Sequence, residues 1–200
     1  MENLRLFIAV ELPDDVKTEL GNLQNKLQNQ GLDDLKWVSL NSLHITLKFL
    51  GYTDNEKIES ISRKLDEVSR QFNPFEIGFK RLGAFPALSR VQVLWVGLSG
   101  ELGRLQMLAG EVENGMAALG FPPEKRRFTP HLTLARARPG IMPASQQAIA
   151  DVIGATTYIS SVTVKVASVS LMGSQLFPTG AVYSRLHSAR LRIEPEKLAY

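Results

Sequence analysis

The chain contains no cysteine. Disulfides, thiolate zinc centres and a cysteine nucleophile are therefore excluded, and a reducing cytoplasm is the expected location. Long apolar runs are missing too. No stretch approaches the roughly 18 uninterrupted apolar residues of a membrane span. The N-terminal MENLRLFIAVELPDD has neither a basic leader nor a small-residue cleavage site. No membrane association is expected. Histidine is scarce, three in 200 residues, so the placement of each one is informative.

What is present suits one domain of two lobes: 44% apolar residues, 22% charged and a formal charge of +3. Basic residues cluster at Lys80-Arg81, Lys125-Arg126-Arg127, Arg136 with Arg138, and Arg185, Arg190 and Arg192. Such clusters fit a phosphate-bearing partner, although any one of them is also an ordinary solvated face. Helical spacing runs through Val16, Leu20, Leu23 and Leu27 after Pro13, and through Ile58, Ile61, Leu65, Val68 and Phe72, with Asp54 as the N-cap. A third stripe joins Leu102, Leu105, Leu108, Val112 and Leu119, and a weaker fourth passes through Ala148 and Val152. Alternation predicts strands at Arg5 to Glu11, around Phe75, Ile77 and Phe79, around Val91, Val93 and Trp95, around Val162, Val164 and Val166, and from Ala181 to Ile193.

The chain repeats itself. LHITL at Leu43–Leu47 returns as PHLTL at Pro130–Leu134, so that His44 and His131 stand 87 positions apart (131 − 44). FEIGF at Phe75–Phe79 falls on VTVKV at Val162–Val166 at the same offset, and LFIAVELPDD on LWVGLSGELG at 88. Two pseudo-symmetric halves, about 1–88 and 89–200, follow. Each reads strand–helix–strand–helix–strand, with one or two extra strands at the seams and the end. Within a strand, residues i and i+2 share a face. His44 therefore sits with Thr46 and Lys48, and His131 with Thr133, and pseudo-symmetry turns the two faces toward each other.

Two imidazoles with pKa values ordinarily near 6.5 can divide acid and base work at neutral pH. Threonine hydroxyls can donate to phosphate oxygens, and Lys48 adds positive charge. The set suits in-line displacement at phosphorus. A single H-x-T-x is a weak signal, but two of three histidines in this pattern, at the offset of the whole duplication, form a strong one. A metal site competes poorly, because three or four ligands are usual and neither motif has a carboxylate at ligand spacing. No metal or cofactor is expected. His187 has no threonine two residues on and reads as structural. Phe7, Phe49 and Trp95 are either core residues or stacking surfaces for a base, and the matched places of Phe7 and Trp95 favour packing.

These motifs resemble those of the 2H phosphoesterase superfamily. Within it, RLFIAVELP, LHITLKFLG, RVQVLWVGL, FTPHLTLAR and SLMGSQLFPTGAVYSRL are similar to the RNA 2′,3′-cyclic phosphodiesterases, also called 2′-5′ RNA ligases. The resemblance implies an α+β bilobal duplicated fold, two antiparallel sheets lining a central cleft with helices outside. It implies hydrolysis of RNA ends or nucleotides carrying a 2′,3′-cyclic phosphate to a 2′-phosphomonoester without metal, and a monomer is expected. It further implies His44 as proton donor, His131 as proton acceptor, and Thr46, Thr133 and Arg136 on the phosphate. Strict alternation from His131 puts Arg136 on the wrong face, so the strand must end or bulge before it, or Arg136 is structural. An RNA-end-binding or 2′-5′ ligating role with incidental hydrolysis, and a phosphodiesterase of small cyclic nucleotides, are the alternatives.

Overall fold

The computed structural model describes residues 3–177 and 180–192, and Ile193, the expected end of the last strand, lies outside them. In chain order the elements are β1 (Asn3–Glu11), α1 (Asp14–Gln28), β2 (Leu35–Trp37), β3 (His44–Asp54), α2 (Ile58–Ser69), β4 (Phe75–Ala87), β5 (Arg90–Gly100), α3 (Leu102–Ala118), β6 (His131–Ala137), α4 (Pro143–Ala155), β7 (Val164–Val166), β8 (Ser168–Phe177) and β9 (Gly180–Arg190). The strands form two antiparallel sheets, β3-β1-β8-β9 and β2-β6-β5-β4-β7. One continuous apolar core lies between the helices and the sheets.

The helices form where the apolar spacing places them. In α1, Asp14 and Asp15 occupy the first turn, where the helix dipole favours negative charge. Val16, Leu20, Leu23 and Leu27 are buried, each contributing about 2 kcal/mol by removal from water. α2 and α3 bury Ile61, Leu65 and Val68, and Leu105, Leu108, Val112 and Met116. In α4 the buried residues are Ile149 and Ile153, one position on from the expected Ala148 and Val152. Asp54 caps the short 3-10 turn 55–57, accepting from the Glu56 N–H at 3.1 Å, and α2 starts only after that turn.

Two features of the duplication are corrected. β4 and β7, which the offset of 87 makes counterparts, pair with each other in one sheet (Phe75 opposite Val166). Each sheet thus mixes early and late strands: β4 joins β5 and β6, while β8 and β9 join β1 and β3. The places of Phe7 and Trp95 also do not match. Ala9 lies opposite Thr46 and Trp95 opposite Thr133, so their equivalence runs at 86 along the central strands (95 − 9).

Candidate active site

β3 and β6 are built alike. His44 and Thr46 are half-buried on one face of β3 while Ile45 and Leu47 enter the core; His131 and Thr133 repeat this on β6 over Leu132 and Leu134. The apolar residues fix each strand, so the polar faces are rigidly aimed. β3 and β6 lie against each other although they belong to different sheets.

Each imidazole is oriented in the same way. His44 Nδ1 donates to the Ser42 carbonyl at 2.7 Å, and His131 Nδ1 donates to the Thr129 carbonyl at 2.7 Å. A carbonyl can only accept, so both Nδ1 atoms carry hydrogen. Both Nε2 atoms are then left for proton exchange. Aromatic rings hold the imidazoles in place: the ring centres of Phe7 and Tyr183 lie 4.7 and 5.2 Å from that of His44, Tyr183 at right angles, and the ring centre of Phe85 lies 4.9 Å from that of His131, also at right angles. Burial pushes both histidines below their ordinary pKa, opposed by the accepting carbonyls and reinforced by the positive charge of Arg136. Glu11, opposite His44 on β1, acts on His44 in the opposite direction to Arg136.

A bulge resolves the position of Arg136. Trp95 is opposite Thr133 and Leu94 is opposite Ala135, which leaves Leu134 as the extra residue. Leu134 and Ala135 are both buried, and Arg136 emerges exposed on the face of His131 and Thr133. From there its charge reaches both histidines. The extra carbonyl of Leu134 accepts from Gln24 Nε2 at 3.0 Å and from the Val38 N–H at 2.9 Å.

The same bulge occurs on β3 and removes Lys48 from the site. Ala9 is opposite Thr46 and Ile8 opposite Lys48, so Leu47 is the extra residue. Lys48 turns into the protein, 5% exposed, and its Nζ donates to Glu113 Oε1 at 2.7 Å, Oε2 at 2.8 Å and the Pro122 carbonyl at 3.1 Å. The expectation that Lys48 holds phosphate is therefore corrected: the bulge shifts the alternation by one, and the ammonium is fully occupied. Phe49 takes the exposed place that corresponds to Arg136 (136 − 87), with 56% exposure. Phe7 is buried behind it and Trp95 covers Gly83, where a Cβ would meet the indole at 2.3 Å.

Neither the Thr46 nor the Thr133 hydroxyl is engaged by a described residue. Among the described residues, no three His, Asp or Glu side chains gather as a metal site would require. His187 is remote, on β9, and meets Asp66 of α2 at 3.0 Å. Sequence reading did not single out Glu11, Phe85 or Tyr183. Glu11 was accessible, since alternation along β1 sets it on one face with Phe7 and Ala9; the other two depend on sheet order.

The family described as LigT like Phosphoesterase matches the chain twice, over residues 10–95 and 96–183. The chain belongs to the LigT-like phosphoesterases. Each match contains one H-x-T-x pair, His44 with Thr46 and His131 with Thr133, so the resemblance drawn from these motifs holds at the level of the family. The chain is similar to the RNA 2′,3′-cyclic phosphodiesterase of Archaeoglobus fulgidus, 34% identical over 92% of this chain and 98% of that protein. It is 29% identical to the enzyme of the same name from Methanothermobacter thermautotrophicus, over 94% and 99%. Among solved structures, a Thermus thermophilus protein superposes with a TM-score of 0.78 at 28% identity, covering 96% of this chain and all of that one. Escherichia coli LigT with 3′-AMP gives 0.75 at 23% over 95% and 99%, a likeness of fold. The two antiparallel sheets and four α-helices of the described residues agree with the sequence expectation of the fold.

Proposed function

We propose that this protein is an RNA 2′,3′-cyclic phosphodiesterase that works by two-histidine acid–base catalysis without metal. The carrying observation is the matched pair of imidazoles, each tied through Nδ1 and each free at Nε2. The names of the relatives, at up to 34% identity over most of the chain, support the substrate. The lack of cysteine supports a cytoplasmic setting.

In the reaction, His131 Nε2 takes a proton from water as the water oxygen bonds to phosphorus. The P–O3′ bond breaks, and His44 Nε2 gives its proton to the departing 3′-oxygen. One water is consumed; the products are a 2′-phosphomonoester and a free 3′-hydroxyl. Thr46 and Thr133 donate to the non-bridging oxygens, and Arg136 offsets the charge that develops there. An anion beside Arg136 also relieves the repulsion that Arg136 exerts on protonated imidazole, so substrate binding favours the acid form of His44.

The test is an oligoribonucleotide ending in a 2′,3′-cyclic phosphate, incubated with the protein in excess EDTA, with the product phosphate located. A 2′-phosphate is expected, and His44→Ala or His131→Ala should each lower kcat at least about 100-fold. Full activity of the double variant ends the proposal. Tight binding without turnover makes the protein an RNA-end-binding module instead.

A further inference from the structure

The two histidines share almost every influence on them. Both are half-buried, both donate Nδ1 to the carbonyl two residues back, and both feel Arg136. Two groups with matched surroundings do not divide into an acid and a base unaided. One difference stands out in the strand register. The residue opposite His44 on β1 is Glu11, and the residue opposite His131 on β5 is Gly97. Gly97 leaves no room for an acid: even a Cβ there would come within 2.9 Å of the Lys80 carbonyl.

Glu11 is held in place. Ser170 on β8, buried and next in the sheet, donates its hydroxyl to Glu11 Oε1 at 2.5 Å, and Arg185 on β9 donates to the same oxygen at 3.3 Å. Among the described residues, the charged and titratable groups on this side of His44 are Glu11 from β1, Tyr183 and Arg185 from β9, and Arg136 and His131 from β6. Glu11 is the one anion among them. His44 packs against the rings of Phe7 and Tyr183, which touch each other, and its burial there disfavours a charged imidazole. A carboxylate on the same sheet face offsets that penalty at His44 and has no counterpart at His131.

We propose that Glu11, braced by Ser170 and Arg185, is the positioning residue that keeps the proton on His44 and so makes His44 the acid and His131 the base. The inference rests on the two-histidine reading above. It assigns to a residue outside both H-x-T-x motifs the asymmetry that an in-line hydrolysis needs. Arg185 tempers the effect, because it shares the Glu11 carboxylate.

The histidine rings of uniformly ¹⁵N-labelled full-length protein are titrated by NMR without substrate, with His44→Asn and His187→Asn used for assignment. Glu11→Gln should move the His44 midpoint to lower pH and leave that of His131 in place. Arg185→Gln should move His44 to higher pH, again without His131. In parallel, the alkaline limb of kcat/KM on the cyclic phosphate should move to lower pH in Glu11→Gln, a displacement that a loss of stability alone does not produce. An unchanged His44 midpoint in both variants, or equal movement of His44 and His131, overturns the inference. Because the titration needs no turnover, its failure is distinct from absence of hydrolysis in the EDTA assay.

Discussion

Arg136 acts on both histidines at once, and its replacement exposes that coupling. Its charge lowers the pKa of His44 and of His131, so Arg136→Gln should raise both. Both limbs of the kcat/KM profile should then move to higher pH, while the maximum falls about 100-fold through loss of phosphate stabilisation; steady-state profiles check both. Lys48 should behave differently. Its Nζ is buried against Glu113 and the Pro122 carbonyl. Removing one partner of a buried pair leaves the other uncompensated, at a cost of roughly 3 kcal/mol that the partial exposure of Glu113 reduces toward about 2. Lys48→Met should lower the urea midpoint accordingly with little change in KM, and Lys48→Met with Glu113→Leu should recover most of the loss. A large rise in KM without loss of stability would return Lys48 to the phosphate.

At the scale of elements, the bulges at Leu47 and Leu134 decide which side chains share the face of the two histidines. The second bulge depends on Gln24 of α1, whose amide donates to the carbonyls of Leu134 and Val38. Gln24→Leu should cost about 2 kcal/mol for the freed carbonyls. It should also lower kcat/KM more than Lys48→Met does, because β6 then holds Arg136 less firmly; denaturation and kinetics on one preparation test the pair. These elements also mark how far the sequence could be read. His44, Thr46, His131 and Thr133 were legible because one repeat fixed both strands. Lys48 was misplaced because nothing in HITLKF marks a bulge: no glycine or proline interrupts the alternation, and the extra residue is one more leucine. Arg136 posed the same problem openly, since its place was inconsistent with strict alternation from His131. In α4, apolar residues occur at both 148/152 and 149/153, and only packing against the sheet selects the isoleucines.

For the whole molecule, the lowered histidines make stability depend on pH. A depressed imidazole pKa means that the unfolded chain binds more protons once the pH falls below about 6.5. The contribution of neutral His44 and His131 is present above that value and is lost as the pH drops through their folded values. Unfolding free energy should thus decline between pH 7 and 5.5, and the His44→Asn, His131→Asn double variant should show a shallower decline in urea titrations. Sheet order was the least legible feature at this scale. β4 and β7 look like counterparts in the sequence but are neighbours in space, because the offset pairs segments by sequence likeness and hydrogen bonding pairs them by position.

Phe49 and Arg136 occupy the same station on β3 and β6, each exposed by its own bulge. A slot flanked by two like histidines would accept a phosphodiester either way round, and half of its encounters would present the wrong ester oxygen to the acid. Under the proposed hydrolysis, a flat apolar ring at one station and a guanidinium at the other would key the slot for a ligand with a base at one end and a charge at the other. Which ester oxygen departs would then depend both on the Glu11 carboxylate beside His44 and on which residue follows a leucine–lysine pair on one strand and a leucine–alanine pair on the other.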